Sequence, residues 1–197
     1  MKKPKNQPST PYAVSKAGAD MHLNVLMRNY GFPATLIRST NVYGQHQQLF
    51  KIIPRVVINI KQGKLIELHG GGKAIKSFIH IRDVVDGLML AMGKGSPGTY
   101  HFSVLNNDTV ADVVATTCKL MGRSFSDVTR TVGERLGQDA RYWLDCEKAK
   151  KELGWTPKVS FESGVKEVIE WIEKNWEEVK TLPHAYQHKT FQSNGDK

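Results

Sequence analysis

The sequence predicts an α/β fold, and three observations carry that reading. A helical period over residues 13–30 is followed, after a short joint at Gly31 and Pro33, by the apolar run 34–39 (ATLIRS). Strand after helix with so short a joint is the α/β rhythm. The alternation then continues along the chain, and glycines or capping side chains punctuate its helices.

In the first helix Val14, Ala17, Met21, Val25 and Leu26 recur at helical spacing. The run 34–39 has apolar neighbours and no turn residue, the pattern of a strand buried on both faces of a parallel sheet. Such a strand needs partners, and only one helix and about a dozen polar residues precede it, so an unpaired edge is expected. A second helix is predicted over 51–61, with Ile52, Ile53, Val56, Val57 and Ile60 on one side and Gly63 as its stop. Strands at 65–68 and 77–81 flank Gly70-Gly71-Gly72, which reads as a hairpin turn. Lys73 does not make a phosphate loop, because the spacing departs from GxxxxGK[ST].

Further on, a helix is expected at 84–92, a strand at 99–104, and a helix at 110–121 capped by Asp108 or Thr109. Short strands follow at 128–132 and 141–144. Asp145 caps a helix that Gly154 ends, and Ser160 starts the last one, which carries Val165, Val168, Ile169, Ile172 and Trp176. Residues 181–197 are polar and predict a disordered tail.

Composition narrows the functional classes. The 197 residues are 40% hydrophobic, enough for one ordinary core. No apolar run reaches the roughly 20 residues that span a bilayer, and no signal-type stretch follows the basic start, so a cytoplasmic protein is expected. Cys118 and Cys146 lack metal-ligand spacing and read as reduced structural thiols; His22, His46, His69 and His80 also lack it. The net charge of +9 is spread along the chain without aromatic interleaving. That pattern argues against nucleic acid and suits a solvated surface with a few phosphate contacts.

The chemistry starts at Pro8–Lys16 (PSTPYAVSK). Tyr12 and Lys16 are four apart and share one helix face. A phenol of ordinary pKa about 10 is a poor base at neutral pH, and an ammonium one turn away stabilises its phenolate. The tyrosine can then exchange a proton with a sugar hydroxyl or carbonyl while hydride moves to or from a nicotinamide.

A bare Tyr-x-x-x-Lys pair is common on exposed helices; its surroundings make it specific. The phrase PxxPYAxSK, the joint Gly31-Phe32-Pro33 and the run Arg38–Gly44 (RSTNVYG) together resemble the extended short-chain dehydrogenase/reductases. More narrowly they resemble the NAD-dependent epimerase/dehydratase family, and within it the dTDP-glucose 4,6-dehydratases, over about residues 4–176. The resemblance implies the C-terminal part of an extended Rossmann-type fold with its small α+β substrate-binding domain. The N-terminal dinucleotide-binding half is absent, since no GxxGxxG occurs in the sequence. Residues 1–45 would be a remnant of the Rossmann domain, 46–180 mainly the part that binds a nucleoside-diphosphate (NDP)-sugar, and 181–197 the tail.

By the same resemblance Tyr12 is the catalytic acid/base, and Lys16 binds the nicotinamide ribose while tuning it. Asn41 and Lys51 contact the substrate, Lys51 from a helix start that suits pyrophosphate. Lys76-Ser77 stands where relatives have arginine-aspartate, and a lysine neutralises phosphate without the bidentate fork. His101 replaces a substrate-contacting asparagine. Arg135, Asp139 and Arg141 match a segment that closes over the nucleotide, and Trp155 is expected to pack. The implied cofactor is NAD and the implied partner an NDP-sugar, with neither nucleic acid nor membrane. Full-length relatives are expected to be homodimers, and an N-terminal half could be supplied in trans. The expected activity is NDP-sugar 4,6-dehydration; the alternatives are an NDP-sugar 4-epimerase and a non-catalytic fragment, pseudoenzyme or half of a split enzyme.

Overall fold

The computed structural model describes residues 8, 10–106, 108–134 and 141–184. Helix α1 (Pro11–Tyr30) opens the fold, with Thr10 as its cap, proline in its first turn and the left-handed Gly31 at its end. Strand β1 (Thr35–Ser39) follows and pairs in parallel with β6 (Gly98–Phe102). One residue later β2 (Asn41–Tyr43) pairs in parallel with β5 (Phe78–His80). In the same way β3 (Ile66–His69) pairs with β7 (Thr129–Val132), and β4 (Ile75–Lys76) with β8 (Arg141–Tyr142).

Four parallel pairs correct two expectations. Gly70–Gly72 is not a hairpin turn, because the strands around it leave for different partners. All three glycines adopt positive φ, and a Cβ on Gly72 would lie 2.9 Å from the Ala111 nitrogen. Nor is β1 buried on both faces: Leu36 is buried, Ile37 half-buried, and Thr35 and Arg38 exposed. Its pairing is to β6 along one edge. An apolar run reports a capacity for burial; neighbours decide whether burial happens.

The core is built by the later helices. Helix α2 (Ile52–Lys61) buries Ile53, Val56, Val57, Ile58 and Ile60; α4 (Val110–Leu120) buries Val113, Val114 and Cys118; α6 (Phe161–Lys174) buries Val165, Val168, Ile169 and Ile172. A second cluster gathers Ile79, Tyr100, Phe102, Leu153 and Trp155 beneath α3 (Ile81–Lys94). Trp155 packs as expected, its ring 4.6 Å from that of Phe102 and its Nε1 donating to the Asp83 carbonyl at 2.8 Å. Thr109, not Asp108, caps α4, in a reciprocal box with Asp112. Short helices α5 (Phe125–Val128) and α7 (Trp176–Val179) and a π-helical turn at Ala149–Leu153 complete the body. Of the expected tail, Thr181 and His184 bond back to the Glu178 and Val179 carbonyls. Residues 185–197 lie outside the described residues.

Candidate functional site

Tyr12 and Lys16 stand one turn apart on α1, with the Lys16 ammonium 5.8 Å from the centre of the Tyr12 ring. Both side chains are exposed, Tyr12 at 71%. The Thr10 hydroxyl accepts from Ala13 N at 3.2 Å and starts the helix two residues before the tyrosine. Local capping thus sets the pair on the first two turns. It presents a proton donor-acceptor and a cation together to solvent.

Asn41, Lys76, His101 and Arg141 lie on strands close in sequence to where the chain changes partner. At Thr40 the chain leaves β6 for β5: Thr40 N donates to Phe102 O, and Asn41 N to Ser77 O. At Ser77 a second change occurs, from β8 to β2. These partner changes make residues 40–41 and 77 a switch point between strand pairs.

A knot of hydroxyls ties this point. Ser77 Oγ lies 3.0 Å from Thr40 Oγ1 and 3.1 Å from Ser103 Oγ, and donates to Val104 O at 2.8 Å. All three residues are buried. Ser103 Oγ accepts from Leu144 N at 3.3 Å, which fastens the segment after β8 to the same point. Ser77, read from sequence as a departure from an acid, is therefore an internal tie.

Around the knot, Asn41 Nδ2 donates to Ser77 O at 2.9 Å and leaves its carbonyl oxygen at the exposed end. Lys76 immediately precedes Ser77 and pairs in register with Tyr142, next to Arg141. The Arg141 guanidinium stacks 4.0 Å over the Trp143 ring. His101 is half-buried at the end of β6, with Nδ1 3.1 Å from the Asp145 carbonyl. Its Nε2 is shielded from water without a hydrogen-bond partner. Burial holds its pKa below the usual imidazole value, outweighing the Asp145 carbonyl bond. At neutral pH its imidazole is neutral.

Strand pairing thus places Asn41, Lys76, His101 and Arg141 on strands whose neighbouring residues meet in the hydroxyl knot. Lys51 is exposed at the N-cap of α2, after a loop held by Gln47 Nε2 donating to Val42 O at 2.6 Å. Arg135 and Asp139 lie outside the described residues. Among the described residues no group of histidines, cysteines and acids could hold a metal ion, and no helix is long and apolar enough to cross a membrane. Sequence reasoning missed the hydroxyl knot, the ion pair between Asp20 and Arg38, and Trp143. Only the last had a local signal, as an aromatic two residues beyond a candidate arginine.

Residues 2–168 match the family described as GDP-mannose 4,6 dehydratase. The dTDP-glucose 4,6-dehydratase of Escherichia coli is 34% identical over 181 residues, covering 86% of this chain and 50% of that protein. The crystal structure of the Bacillus anthracis dTDP-glucose 4,6-dehydratase, in complex with NAD, superposes with a TM-score of 0.83 at 33% identity, covering 93% of this chain and 60% of that one. A UDP-glucose 4-epimerase of Thermotoga maritima, with UDP-glucose, superposes with a TM-score of 0.79 at 27% identity, covering 89% and 60%. The chain spans about half the length of the curated relatives it matches. It is an α/β chain corresponding to a C-terminal-like part of an extended short-chain dehydrogenase/reductase, and it belongs to the GDP-mannose 4,6-dehydratase family.

Proposed function

We propose that this chain supplies the proton-transfer pair and the nucleotide-sugar pocket of an NAD-dependent NDP-sugar 4,6-dehydratase, acting on a dTDP-glucose-like substrate. The observation that carries the reading is the pairing of Tyr12 and Lys16 on one exposed face of the helix that leads into β1 and Asn41. In this reading Tyr12 exchanges a proton with a sugar hydroxyl. Lys16 neutralises charge on the phenol and grips ribose hydroxyls. Asn41 orients the diphosphate-sugar from the switch point. Lys51, Lys76 and Arg141 offset phosphate charge, joined by Arg135; Asp139 accepts from a ligand hydroxyl, and neutral His101, its Nδ1–H given to the Asp145 carbonyl, accepts from a sugar hydroxyl at Nε2.

Lys16, exposed beside Tyr12, fits the ribose end of a nicotinamide cofactor, and NAD when bound supplies hydride acceptance and return. The sequence holds no GxxGxxG loop for the cofactor pyrophosphate. That part of the site comes, in this proposal, from an N-terminal half in the same polypeptide or in trans. Residues 1–45 then belong to the cofactor domain and 46–180 mainly to the substrate domain, in a cytoplasmic enzyme that forms homodimers. A 4-epimerase is the second reading, favoured by the superposition on UDP-glucose 4-epimerase.

The test joins the chain to a cofactor-binding half and supplies dTDP-glucose. Dehydration yields a product lighter by one water, whereas epimerisation leaves the mass unchanged. Tyr12→Phe is expected to lower turnover by about 10²–10⁴-fold. Full rate with phenylalanine at this position would rule out the assigned role. No binding of dTDP-glucose over free glucose by calorimetry would leave a non-catalytic fragment.

A further inference from the structure

We propose that Asp20 and Arg38 form a positioning pair, which sets the rotation of α1 and thereby aims Tyr12 and Lys16 at the switch point where Asn41 sits. The inference rests on the sugar-nucleotide reading for its functional meaning, but its geometry stands independently. Asp20 Oδ2 accepts from Arg38 Nε at 2.9 Å and from a second guanidinium nitrogen. Positions 12, 16 and 20 step by four residues, so the three side chains lie within an arc of about 80° on the helix. The carboxylate that meets Arg38 is thus on the same ridge as the tyrosine and lysine, about 12 Å along the axis from the former.

Helix α1 has no fully buried residue, only a half-buried face that includes Ala13, Ala17, Asp20, Leu23 and Met27, so packing holds its rotation weakly. Its C-terminal end is held by the turn at Gly31, where Phe32 N donates to Leu26 O and Ala34 N to Phe32 O. A second tether part-way along the axis is what converts a hinged rod into an aimed one. Arg38 is well placed for this. It lies three residues before Asn41 on the same run of chain and in register with His101 on β6. A single guanidinium therefore joins the proton-transfer ridge to the strand pair that carries His101 and leads into Asn41. Asp20 and Arg38 act through Tyr12 and Lys16 and touch no reacting atom themselves.

The test measures position in the full chain. Spin labels at the exposed Ser15 and Gln48, with Cys118→Ala and Cys146→Ser to remove native thiols, report the distance from α1 to the pocket loop. One narrow distance is expected for the unmutated pair, broadened by about twofold or more in Asp20→Asn and in Arg38→Gln. Asp20→Glu is expected to stay narrow, and Asp20→Arg combined with Arg38→Asp to recover the narrow distribution. Helix content checked by circular dichroism shows that α1 is still formed in each variant. An unchanged distribution in Asp20→Asn, or no recovery in the exchanged pair, overturns the proposal. Calorimetry with dTDP-glucose on the same proteins separates the two readings. Absence of heat in the unmutated chain removes the sugar-nucleotide reading, while the label distances still decide the positioning pair.

Discussion

Helices α1 and α6 are both written clearly in the sequence, yet only α6 is held by the fold. Both begin at a hydroxyl cap, Thr10 or Ser160, and both carry apolar residues at helical spacing. Helix α6 buries Val165, Val168, Ile169 and Ile172; α1 leaves Val14, Met21 and Val25 half or more exposed. Capping and periodicity determine where a helix forms and which face it would bury. Whether that face finds a partner depends on the rest of the assembly. The proton-transfer pair rides on the loosely held helix, and most pocket candidates sit on the firmly held part.

The largest expected effect is in local opening. Amides in the centre of α1 should exchange at least about 10³-fold faster than those of α2 and α6, since opening free energies run from near zero to the global stability. Hydrogen exchange read by mass spectrometry measures this directly. Equal protection across residues 13–30 and 161–174 of a monomer would abolish the comparison.

Core truncation sharpens the contrast. Ile53 is fully buried in the cluster with Val165 and Ile172, so Ile53→Ala is expected to cost about 2–5 kcal/mol in denaturant unfolding. Met21→Ala on α1 removes a comparably large apolar side chain and should stay within about 0.5 kcal/mol, because it leaves no cavity. A cost above about 2 kcal/mol for Met21→Ala would mean that α1 is packed in solution.

These contrasts show what the sequence could reveal. Thr109, Gly154 and Ser160 mark helix ends because capping is local, and each sits where the pattern placed it. Strand partners are non-local, and Gly70–Gly72 looked like a hairpin because nothing nearby shows that β3 pairs with β7 and β5 with β2. The site divides the same way. Tyr12 and Lys16 are legible as a four-residue motif. The knot of Thr40, Ser77 and Ser103 joins hydroxyls 37 and 26 residues apart, and no periodicity announces it.

One substitution made in each helix should give opposite signs. A Cβ on Gly164 of α6 would lie 2.4 Å from the Tyr43 hydroxyl and 2.8 Å from His80 Cδ2. Gly164→Ala is therefore expected to destabilise by about 1–3 kcal/mol through overpacking. A Cβ on Gly18 of α1 meets nothing within 4 Å. Gly18→Ala should make α1 more helical by up to about 1 kcal/mol, from propensity alone. Thermal melts with helix-specific exchange distinguish the two, and destabilisation by Gly18→Ala would reveal a hidden neighbour.

The smallest expected effect is a pH dependence confined to the held part of the molecule. His80 is buried, accepts from Arg82 N to cap α3, and places Nε2 3.5 Å from Glu167 Oε2 on α6. Burial lowers its pKa; Glu167 and Asp83 pull it up, Arg82 adds to the lowering, and burial dominates. His101 is lowered for the same reason, with Arg38 adding to the effect and Asp145 opposing it. A lowered imidazole pKa means that the unfolded chain takes up a proton the folded chain refuses. Stability from these two groups is therefore fully present above the ordinary value of 6.5 and lost as pH falls below it toward the folded value. Denaturant midpoints should drop between about pH 7.5 and pH 5.5, before carboxylates begin to titrate. His80→Asn keeps a side-chain acceptor for the helix cap and removes the titration, so its midpoint should vary less over that range. Neither histidine lies on α1, so opening of that helix should not follow the same curve. An unmutated chain with a flat midpoint, or a His80→Asn variant with an unchanged slope, would show that Glu167 offsets the burial of His80 in full.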